Sequence, residues 1–217
     1  MKRLFDIVFA SIALLGLGIP LLLLAAAVRW KLGSPVLFRP TRAGLGGKPF
    51  PLVKFRSMTE ARGPDGELLP DEDRLTPFGI FLRRFSLDEL PQFWCVLTGD
   101  MSVIGPRPLP MKYLPCYSPD QARRLLVRPG ISGWAQINGR NSLTWEQKFT
   151  LDTWYVDHCS FWLDMKILLL TPATVMRHQG INAAGDTTVP TFTGSPTQPT
   201  SSKPAHVPEQ DIPIRTT

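Results

Sequence analysis

The sequence is poor in the residues and motifs that several large classes of protein require. Its three cysteines, Cys95, Cys116 and Cys159, form no C-x-x-C pair, and its three histidines are scattered. This pattern predicts neither a disulfide framework nor a zinc site, and it indicates a cytosolic redox setting. The motifs G-x-S-x-G, H-E-x-x-H and G-x-G-x-x-G are also absent, which argues against an α/β-hydrolase, a zinc metalloprotease and a dinucleotide-binding fold.

The residues that are abundant narrow the possible classes of protein further. Proline accounts for 22 of the 217 residues, about twice the usual 5%, which argues against a simple coiled coil and predicts many fixed turns or a disordered segment. Hydrophobic residues make up 43% of the chain, enough for the core of one domain with appendages. The net charge of +6 indicates a polyanionic partner: a nucleic acid, an anionic membrane surface or a phosphorylated substrate.

An uncharged apolar run occupies residues 7–28. As a straight helix it would be ~33 Å long, enough to cross a bilayer core of ~30 Å. A cleavable signal peptide is disfavoured, because the run is long and no A-x-A-like site follows it. Gly16, Gly18 and Pro20 predict a kink in mid-run, because a proline removes a helix hydrogen bond and clashes with the preceding turn. A kinked spanning helix and a re-entrant helical hairpin both remain open.

The charges around this run bear on the same choice. Basic residues flank it on both sides (Lys2, Arg3, Arg29, Lys31, Arg39 and Arg42). A spanning helix usually carries its positive excess on one side only. A hairpin that dips into the bilayer and returns keeps both basic flanks on the same face, so the symmetric charge favours the hairpin.

Beyond the run, the pattern predicts short strands and then helices. Apolar pieces interrupted by Gly and Pro predict strands between residues 34 and 55, and the glycine-rich stretch 44–48 is a hairpin turn, because it fails the P-loop spacing. Residues 61–73 form a loop. Capping residues and apolar periodicity predict helices over residues 77–84, 87–97, 119–128, 145–157 and 161–178.

Two features near the end of the chain differ from the rest of the sequence. The fifth predicted helix is apolar around most of its circumference, and Trp154 and Tyr155 lie just before it. Such a helix suits a bilayer interface, although ordinary core packing explains it equally well. From about residue 183 the composition becomes rich in proline and threonine, so residues 183–217 are predicted to form a disordered tail.

The block from residue 82 to 108 combines adjacent carboxylates, paired arginines and rigid turns. Ser86 and Glu89 fit a helix capping box, which would be a purely structural role. In a functional interpretation, a helix N-terminus lowers the pKa of Asp88 and keeps it ionised as a nucleophile toward phosphorus, while Glu89 holds Mg²⁺. Basic residues that could neutralise a diphosphate are Lys54, Arg56, Arg83, Arg84, Arg107 and Arg140, although each taken singly is typical of a solvated surface charge.

Several motifs together resemble the bacterial sugar transferase family, the monotopic phosphoglycosyl transferases. The resemblance covers roughly residues 1–182, and the chain is most similar to the small bacillosaminyl-phosphate and exopolysaccharide transferases. The segments that carry the resemblance are KFRSM at 54–58, SLDELPQ at 86–92, GDMS at 99–102, GPRP at 105–108, RPGISGWAQ at 128–136 and NGR at 138–140.

This resemblance implies an α/β fold, mostly helical with short strands, on a monotopic membrane protein. A re-entrant hairpin (residues 1–32, broken at Pro20) and interfacial amphipathic helices seat a catalytic domain (33–182) on the cytoplasmic face of the bacterial inner membrane. Sugar 1-phosphate passes from a UDP-sugar, such as UDP-diacetylbacillosamine or another N-acetylated amino sugar, to undecaprenyl phosphate, and UMP is released. Inner-membrane lipids and downstream glycosyltransferases are further implied partners, and nucleic acid is not.

The resemblance also implies roles for single residues. Asp88 matches the nucleophile, which forms a phosphoglycosyl-aspartate, and Glu89 completes the dyad; together they hold the Mg²⁺ cofactor. The turn Pro106-Arg107-Pro108 matches the nucleotide-contacting segment. The substrate-binding cations would be Lys54, Arg56, Arg83 and Arg140.

The chain also departs from the family pattern. Ile19 stands before Pro20 where serine is frequent, Cys95 where asparagine is expected, and Ser132 where threonine is common. The proline- and threonine-rich tail has no counterpart in that pattern. Two alternatives to the transferase hypothesis remain: a non-catalytic membrane adaptor that binds anionic lipid, and a phosphatase acting on polyprenyl diphosphates.

Overall fold

The computed structural model describes residues 1–139, 142–176 and 192–194, so the predicted substrate-binding Arg140 and most of the predicted tail lie outside the described residues. The α-helices within these ranges are α1 (Lys2–Gly16), α2 (Gly18–Leu32), α3 (Asp71–Arg74), α4 (Pro77–Arg84), α5 (Gln92–Thr98), α6 (Pro119–Ala122), α7 (Trp134–Ile137), α8 (Trp145–His158) and α9 (Phe161–Met176). The strands are β1 (Leu37–Phe38), β2 (Thr41–Ala43), β3 (Pro49–Pro51), β4 (Lys54–Phe55), β5 (Ser102–Ile104) and β6 (Gly130–Ser132). This arrangement confirms the predicted mostly helical architecture with short strands.

The strands pair in three separate two-stranded sheets. β1 pairs with β4 and β2 with β3, both antiparallel, whereas β5 and β6 are parallel. Residues 44–48 connect β2 to β3 through a short 3₁₀ turn, which confirms the predicted hairpin turn. The parallel pair lies in the main core together with Val96, Met101, Tyr155 and Ile167, so α5, α8 and α9 pack around it.

Local capping explains where the longer helices begin. The Thr76 hydroxyl accepts a hydrogen bond from Gly79 N (3.1 Å) at the start of α4. The Thr144 hydroxyl accepts one from Gln147 N (3.2 Å), and the Gln147 side chain accepts one from Thr144 N (2.9 Å), which completes a capping box before α8. Both predicted helices are confirmed. The predicted helix at 119–128 is α6 followed by a 3₁₀ turn, Arg123–Leu126, and the part of the fifth predicted helix beyond residue 176 lies outside the described residues.

The N-terminal apolar run is two helices with a bend of 64° between them. The break falls at Leu17, and Pro20 lies in the first turn of α2. Pro20 has no N–H to offer the carbonyl of Gly16, four residues earlier, and its ring crowds that carbonyl. The predicted kink is therefore present, with its break three residues before the proline. Within the described ranges no single helix is long and apolar enough to cross a membrane, and only the bent pair passes that test when its two halves are taken together.

Polar side chains on the first turns of α1 attach it to the rest of the chain. The buried Asp6 carboxylate accepts hydrogen bonds from Ser102 Oγ and Val103 N, both at 2.9 Å. Arg3 donates to the carbonyls of Val96 and Leu97 at the end of α5. The opposite faces of α1 and α2 expose large apolar side chains (Leu4, Ile12, Leu15, Ile19, Leu22, Leu23 and Trp30). An exposed apolar surface of this extent indicates an interaction surface.

Residues 192–194 are the described part of the predicted tail. The Phe192 side chain is only 4% exposed and packs into an aromatic cluster. Its ring centroid lies 4.9 Å from that of Phe149, 5.6 Å from Trp145 and 5.8 Å from Tyr113. This short segment is therefore packed against the domain.

We expect Phe192→Ala to lower the free energy of unfolding by about 1–3 kcal/mol. The expected loss is smaller than for an ordinary core phenylalanine, because the segment can detach instead of leaving a full cavity. Thermal unfolding of the full-length protein in nanodiscs measures the effect, and Thr193→Ala, at an exposed neighbouring position, is the matched control. Equal unfolding midpoints for the two variants would contradict a stabilising role for the Phe192 contact.

Candidate active site

Helix α4 carries Arg83 and lies directly against the backbone that follows β4. A Cβ at position 79 would be 1.8 Å from the Ser57 carbonyl oxygen, so only a glycine allows this approach. The same approach brings Arg83 Nε within 2.9 Å of Ser57 Oγ, to which it donates a hydrogen bond. Arg83 is thereby held next to the segment that contains Lys54.

The turn after α4 carries the two carboxylates. Ser86 adopts a left-handed conformation (φ 54°), alone in this among the non-glycine residues of the described ranges, and a 3₁₀ turn, Leu87–Glu89, follows. The Ser86 side chain does not cap this turn, so the predicted capping box is wrong. The predicted continuous helix over 87–97 is also wrong in its first part, since α5 begins at Gln92, directly after Pro91. A left-handed serine stores backbone strain of the kind that often occurs at functional sites.

Asp88 is a buried carboxylate (4% exposed) among cations. Burial raises its pKa to about 6, the neighbouring Glu89 raises it as well, and Lys54, Arg83 and Arg107 act in the opposite direction. The expectation that a helix N-terminus lowers this pKa is therefore wrong, because Asp88 sits in a short 3₁₀ turn and loses its hydration. At neutral pH a carboxyl group with this pKa is still roughly nine-tenths ionised.

Glu89 forms a two-point ion pair with Arg107. Arg107 Nη2 donates to Glu89 Oε1 at 2.5 Å, and Nη1 lies 3.4 Å from Oε2. The Glu89 carboxylate raises the pKa of Arg107, although burial opposes the shift. The Arg107 side chain remains 51% exposed, so a ligand in solution can reach its guanidinium group.

The backbone around Pro106-Arg107-Pro108 is fixed by close contact between two segments. Gly105 N donates to the Ser132 carbonyl (2.8 Å), and Gly130 N donates to the Pro106 carbonyl (3.0 Å). A Cβ at position 130 would lie 2.0 Å from Gly105 N, so the two segments meet where neither glycine can be replaced by a residue with a side chain. Pro106 and Pro108 are buried, and Arg107 between them points outward.

A second arginine holds the same turn from the inside. Arg124 Nη2 donates to the carbonyl oxygen of Arg107 (2.7 Å) and to Asp152 Oδ2 (2.7 Å), and its Nε also donates to Asp152 (3.1 Å). Both members of this ion pair are buried. Sequence reasoning missed Arg124 and Asp152, because nothing in one sequence indicates that residues 28 positions apart form a buried pair.

The structure brings five of the predicted site residues together: Lys54, Arg83, Asp88, Glu89 and Arg107. Lys54 is half-buried on β4, and its pKa is lowered by burial and raised by Asp88. Arg56 is placed differently. Its guanidinium donates to the carbonyls of Leu32 and Ser34, so its hydrogen bonds join the segment after β4 to the end of α2.

Two further cations near Arg107 were not among the predicted substrate-binding residues. Burial lowers the pKa of Arg42, and so does the charge of Arg107; the same two causes lower the pKa of Lys148. Arg42 Nε is buried without a hydrogen-bond partner. A bound anion offsets the repulsion between neighbouring cations. Arg42 and Lys148 therefore extend the positively charged region around Arg107 to which an anion can bind.

The fit of the two carboxylates to Mg²⁺ depends on how many ligands the protein itself supplies. No group of three or more His, Cys, Asp or Glu side chains converges anywhere in residues 1–139, 142–176 and 192–194. Asp88 and Glu89 nevertheless suit a magnesium ion shared with a substrate, because Mg²⁺ is commonly held by one or two carboxylates, phosphate oxygens and water. The residues present therefore fit an ion that arrives with a diphosphate.

The raised pKa of Asp88 predicts that Asp88→Asn stabilises the fold. A carboxyl group with a folded-state pKa above its ordinary 3.8 favours folding fully only below that pH, and the contribution is lost as the pH rises through about 6. Asparagine stays neutral, so we expect it to raise stability by about 2–3 kcal/mol above pH 7 and by little near pH 4. Unfolding midpoints across this range measure the effect.

The control for this prediction is Asp73→Asn, at an exposed position on α3. It should show no comparable pH-dependent gain. If Asp88→Asn were no more stable than wild type above pH 7, the assignment of a desolvated carboxylate at position 88 would be wrong.

Comparison with known proteins gives this site a context. The chain is 55% identical over 195 residues to an uncharacterized sugar transferase, EpsL, of Bacillus subtilis, which covers 90% of this chain and 96% of that protein. It is 42% identical over 186 residues to a UDP-glucose:undecaprenyl-phosphate glucose-1-phosphate transferase of Caulobacter vibrioides (81% of this chain, 69% of that protein). It is 40% identical over 193 residues to the galactosyl transferase CpsE of Streptococcus agalactiae, of whose length the match spans 43% (82% of this chain).

The family assignment follows from the extent of these matches. The sequence profile of the bacterial sugar transferase family matches residues 1–178, a range that contains both carboxylates, the turn at 106–108 and the N-terminal helix pair. The similarity thus includes the whole cluster described above. The chain belongs to the bacterial sugar transferase family.

Proposed function

We propose that this chain transfers a hexose 1-phosphate from a UDP-hexose to undecaprenyl phosphate and releases UMP. The observation that carries the proposal is the buried carboxylate of Asp88 among Lys54, Arg83 and Arg107, in a chain of this family. A cation cluster attracts a diphosphate, and an ionised carboxylate within it can attack phosphorus. The reaction class is the one in the name of the Caulobacter relative.

In the first proposed step, an oxygen of the Asp88 carboxylate attacks the phosphorus atom that bears the sugar. A bond forms between this oxygen and phosphorus, the bond from phosphorus to the bridging oxygen breaks, and UMP leaves with the electron pair. The sugar phosphate is then bound covalently to Asp88. The pKa of about 6 keeps Asp88 mostly ionised at neutral pH and still leaves it more basic than an ordinary aspartate.

In the second proposed step, a phosphate oxygen of undecaprenyl phosphate attacks the same phosphorus atom. The bond between Asp88 and phosphorus breaks, the carboxylate is regenerated, and the product is an undecaprenyl diphosphate sugar. No net proton transfer is needed when the phosphates are ionised. Two steps allow one small site to use a soluble donor first and a lipid acceptor afterwards.

The surrounding charges have defined tasks in this scheme. Lys54 and Arg83 offset the charge of the transferred phosphate beside Asp88, and Arg107 can exchange part of its pairing with Glu89 for a phosphate oxygen because it is half exposed. Asp88 and Glu89 are the residues that would hold Mg²⁺, which when bound supplies Lewis-acid stabilisation of phosphate charge.

The proposal includes a seat on the cytoplasmic face of the bacterial inner membrane. The exposed apolar faces of α1 and α2 support insertion of this bent pair into the lipid as a re-entrant hairpin. Tryptophans favour the headgroup region, and three of them, Trp30, Trp94 and Trp162, are between 58% and 81% exposed. A site held at headgroup height can meet a polyprenyl phosphate in the bilayer and a nucleotide sugar in solution.

The identity of the sugar belongs to the proposal as well. The relatives described above whose names specify a sugar are a glucose and a galactose transferase. The N-acetylated amino sugar implied by the sequence resemblance stays a prediction. A donor panel that contains UDP-glucose, UDP-galactose, UDP-N-acetylglucosamine and UDP-diacetylbacillosamine distinguishes these possibilities.

We expect the full-length protein in nanodiscs to release UMP from at least one donor of this panel, dependent on undecaprenyl phosphate. Asp88→Asn should reduce this rate by about 10³-fold or more, because the amide cannot act as the nucleophile. Chromatographic measurement of UMP and of the lipid-linked sugar tests both expectations. Asp73→Asn, at an exposed position, is the control and should retain wild-type activity.

Each contrary result identifies a different failure. Release of inorganic phosphate from added undecaprenyl diphosphate, with no UMP released from any donor, would indicate a phosphatase. Absence of UMP release from every donor, with binding to anionic vesicles retained, would indicate a membrane adaptor. Full activity of Asp88→Asn would leave the transferase class intact but exclude Asp88 as the nucleophile.

The contact between Arg124 and the Arg107 carbonyl predicts a positioning role. Arg124→Lys keeps the positive charge but cannot bridge Asp152 and the Arg107 carbonyl through a fixed planar fork. We expect kcat/KM for the donor to fall about 10-fold or more, with most of the change in KM for the UDP-sugar. Arg123→Lys is the matched control, because Arg123 is the chain neighbour of Arg124 and forms only exposed ion pairs among those described. Equal kinetic constants for the two variants would exclude this role.

A further inference from the structure

A cavity of about 220 Å³ opens beside Glu89. Glu89 and Arg107 form part of its wall, and β6, α7 and the last turns of α9 form another part. Phe85, Phe93 and Val175 contribute apolar surface to the cavity. The volume is below the ~300–1,000 Å³ of pockets for drug-sized ligands, so the cavity suits one ring-sized group and not a whole sugar nucleotide.

One polar side chain in this wall has no partner. Both polar atoms of the Gln136 amide, Nε2 and Oε1, are buried and form no hydrogen bond. Gly133 leaves the space that this amide occupies, since a Cβ at position 133 would lie 2.6 Å from Gln136 Oε1. Folded proteins rarely leave a buried amide unsatisfied at both ends, so a binding partner is the simplest physical reason for this arrangement.

The hydroxyl groups of the same wall, in contrast, already form hydrogen bonds within the protein. Ser132 Oγ and Thr171 Oγ1 form a hydrogen bond with each other (2.7 Å), and Thr171 Oγ1 also donates to the Ile167 carbonyl (2.7 Å). Thr174 Oγ1 donates to the Leu170 carbonyl (3.0 Å). The unfilled hydrogen-bonding capacity of this wall is therefore concentrated in Gln136.

The chemistry of the Gln136 amide limits which ligand groups can satisfy its two polar atoms. Nε2 needs an acceptor and Oε1 needs a donor, so the ligand must supply both. An isoprenoid chain supplies neither, and an ionised phosphate supplies only acceptors. Neighbouring sugar hydroxyl groups supply both, and so does the imide edge of uracil.

The position of the cavity favours the sugar over uracil. Its wall includes Glu89, the chain neighbour of the carboxylate that would take up the phosphate. The sugar is bonded directly to that phosphate, whereas uracil is separated from it by a ribose and a second phosphate. We propose that Gln136 recognises the sugar of the donor, with its amide hydrogen-bonded to hydroxyl groups of the hexose. This inference rests on the proposed function.

The test combines a variant with altered donors. Gln136→Leu keeps a similar volume and removes both hydrogen-bonding atoms. Thr150→Val, at an exposed position of α8 outside the cavity, is the control. With the preferred UDP-hexose we expect Gln136→Leu to lower kcat/KM about 10- to 100-fold and Thr150→Val to change it little. With the UDP-deoxyhexose that lacks the contacted hydroxyl group, wild type should lose a similar factor, and Gln136→Leu should then differ little from wild type.

Other results overturn the inference in distinguishable ways. An equal loss with every deoxy donor, with inhibition by UMP unchanged, would mean that Gln136 has only a structural role. Weaker inhibition by UMP, with the loss unchanged across the deoxy donors, would place uracil at this amide. Unchanged kcat/KM would mean that the amide binds no part of the donor. If wild type releases no UMP from any UDP-sugar, the proposed function fails first, and this inference fails with it.

Discussion

The buried ion pair between Arg124 and Asp152 is the constraint on which the geometry of the site depends. Removing two charges from water costs several kcal/mol for each ion, so such a pair is stable only when further hydrogen bonds satisfy it. Arg124 finds these on the Arg107 carbonyl and on Tyr117, while Asp152 fixes it to α8. The turn at 106–108 is thereby attached from the inside. Arg107 can meet Glu89 on the outside because its own backbone cannot move away.

The cost of removing a charge from water also acts at Asp88, but there it is not fully compensated. This carboxylate is also buried, but the cations around it do not fully offset its loss of hydration, and its pKa is raised. Ser86 adds backbone strain two residues earlier. Both features disfavour folding locally. In the proposed reaction, the bond that Asp88 forms with phosphorus removes the carboxylate charge that burial penalises. A carboxylate less stabilised than an ordinary aspartate is a better nucleophile toward phosphorus.

These particulars explain what could be predicted from the sequence. The starts of α4 and α8 were predictable, because each cap lies within three residues of the group that it satisfies. The carboxylates and Arg107 were recognisable as a motif. The conformation of Ser86, the burial of Asp88 and the placement of Arg56 were not predictable, because they depend on segments distant in sequence. In the sequence, Arg56 resembles Lys54 as a basic residue of the same segment. In the structure, however, its guanidinium donates a hydrogen bond to the carbonyl of Leu32.

The bend at Leu17 also bears on how deep the proposed membrane seat reaches. Each of the two helices has 15 residues and is therefore ~22 Å long at ~1.5 Å per residue. With a bend of 64°, the apex lies ~12 Å from the line that joins the two outer ends. Both of those ends are bonded to the same domain, α1 through Asp6 and α2 through Leu32. With both ends at the surface, as in the proposed seat, the apex would stop short of the midplane of a ~30 Å hydrocarbon core, so the bent pair would occupy one leaflet only.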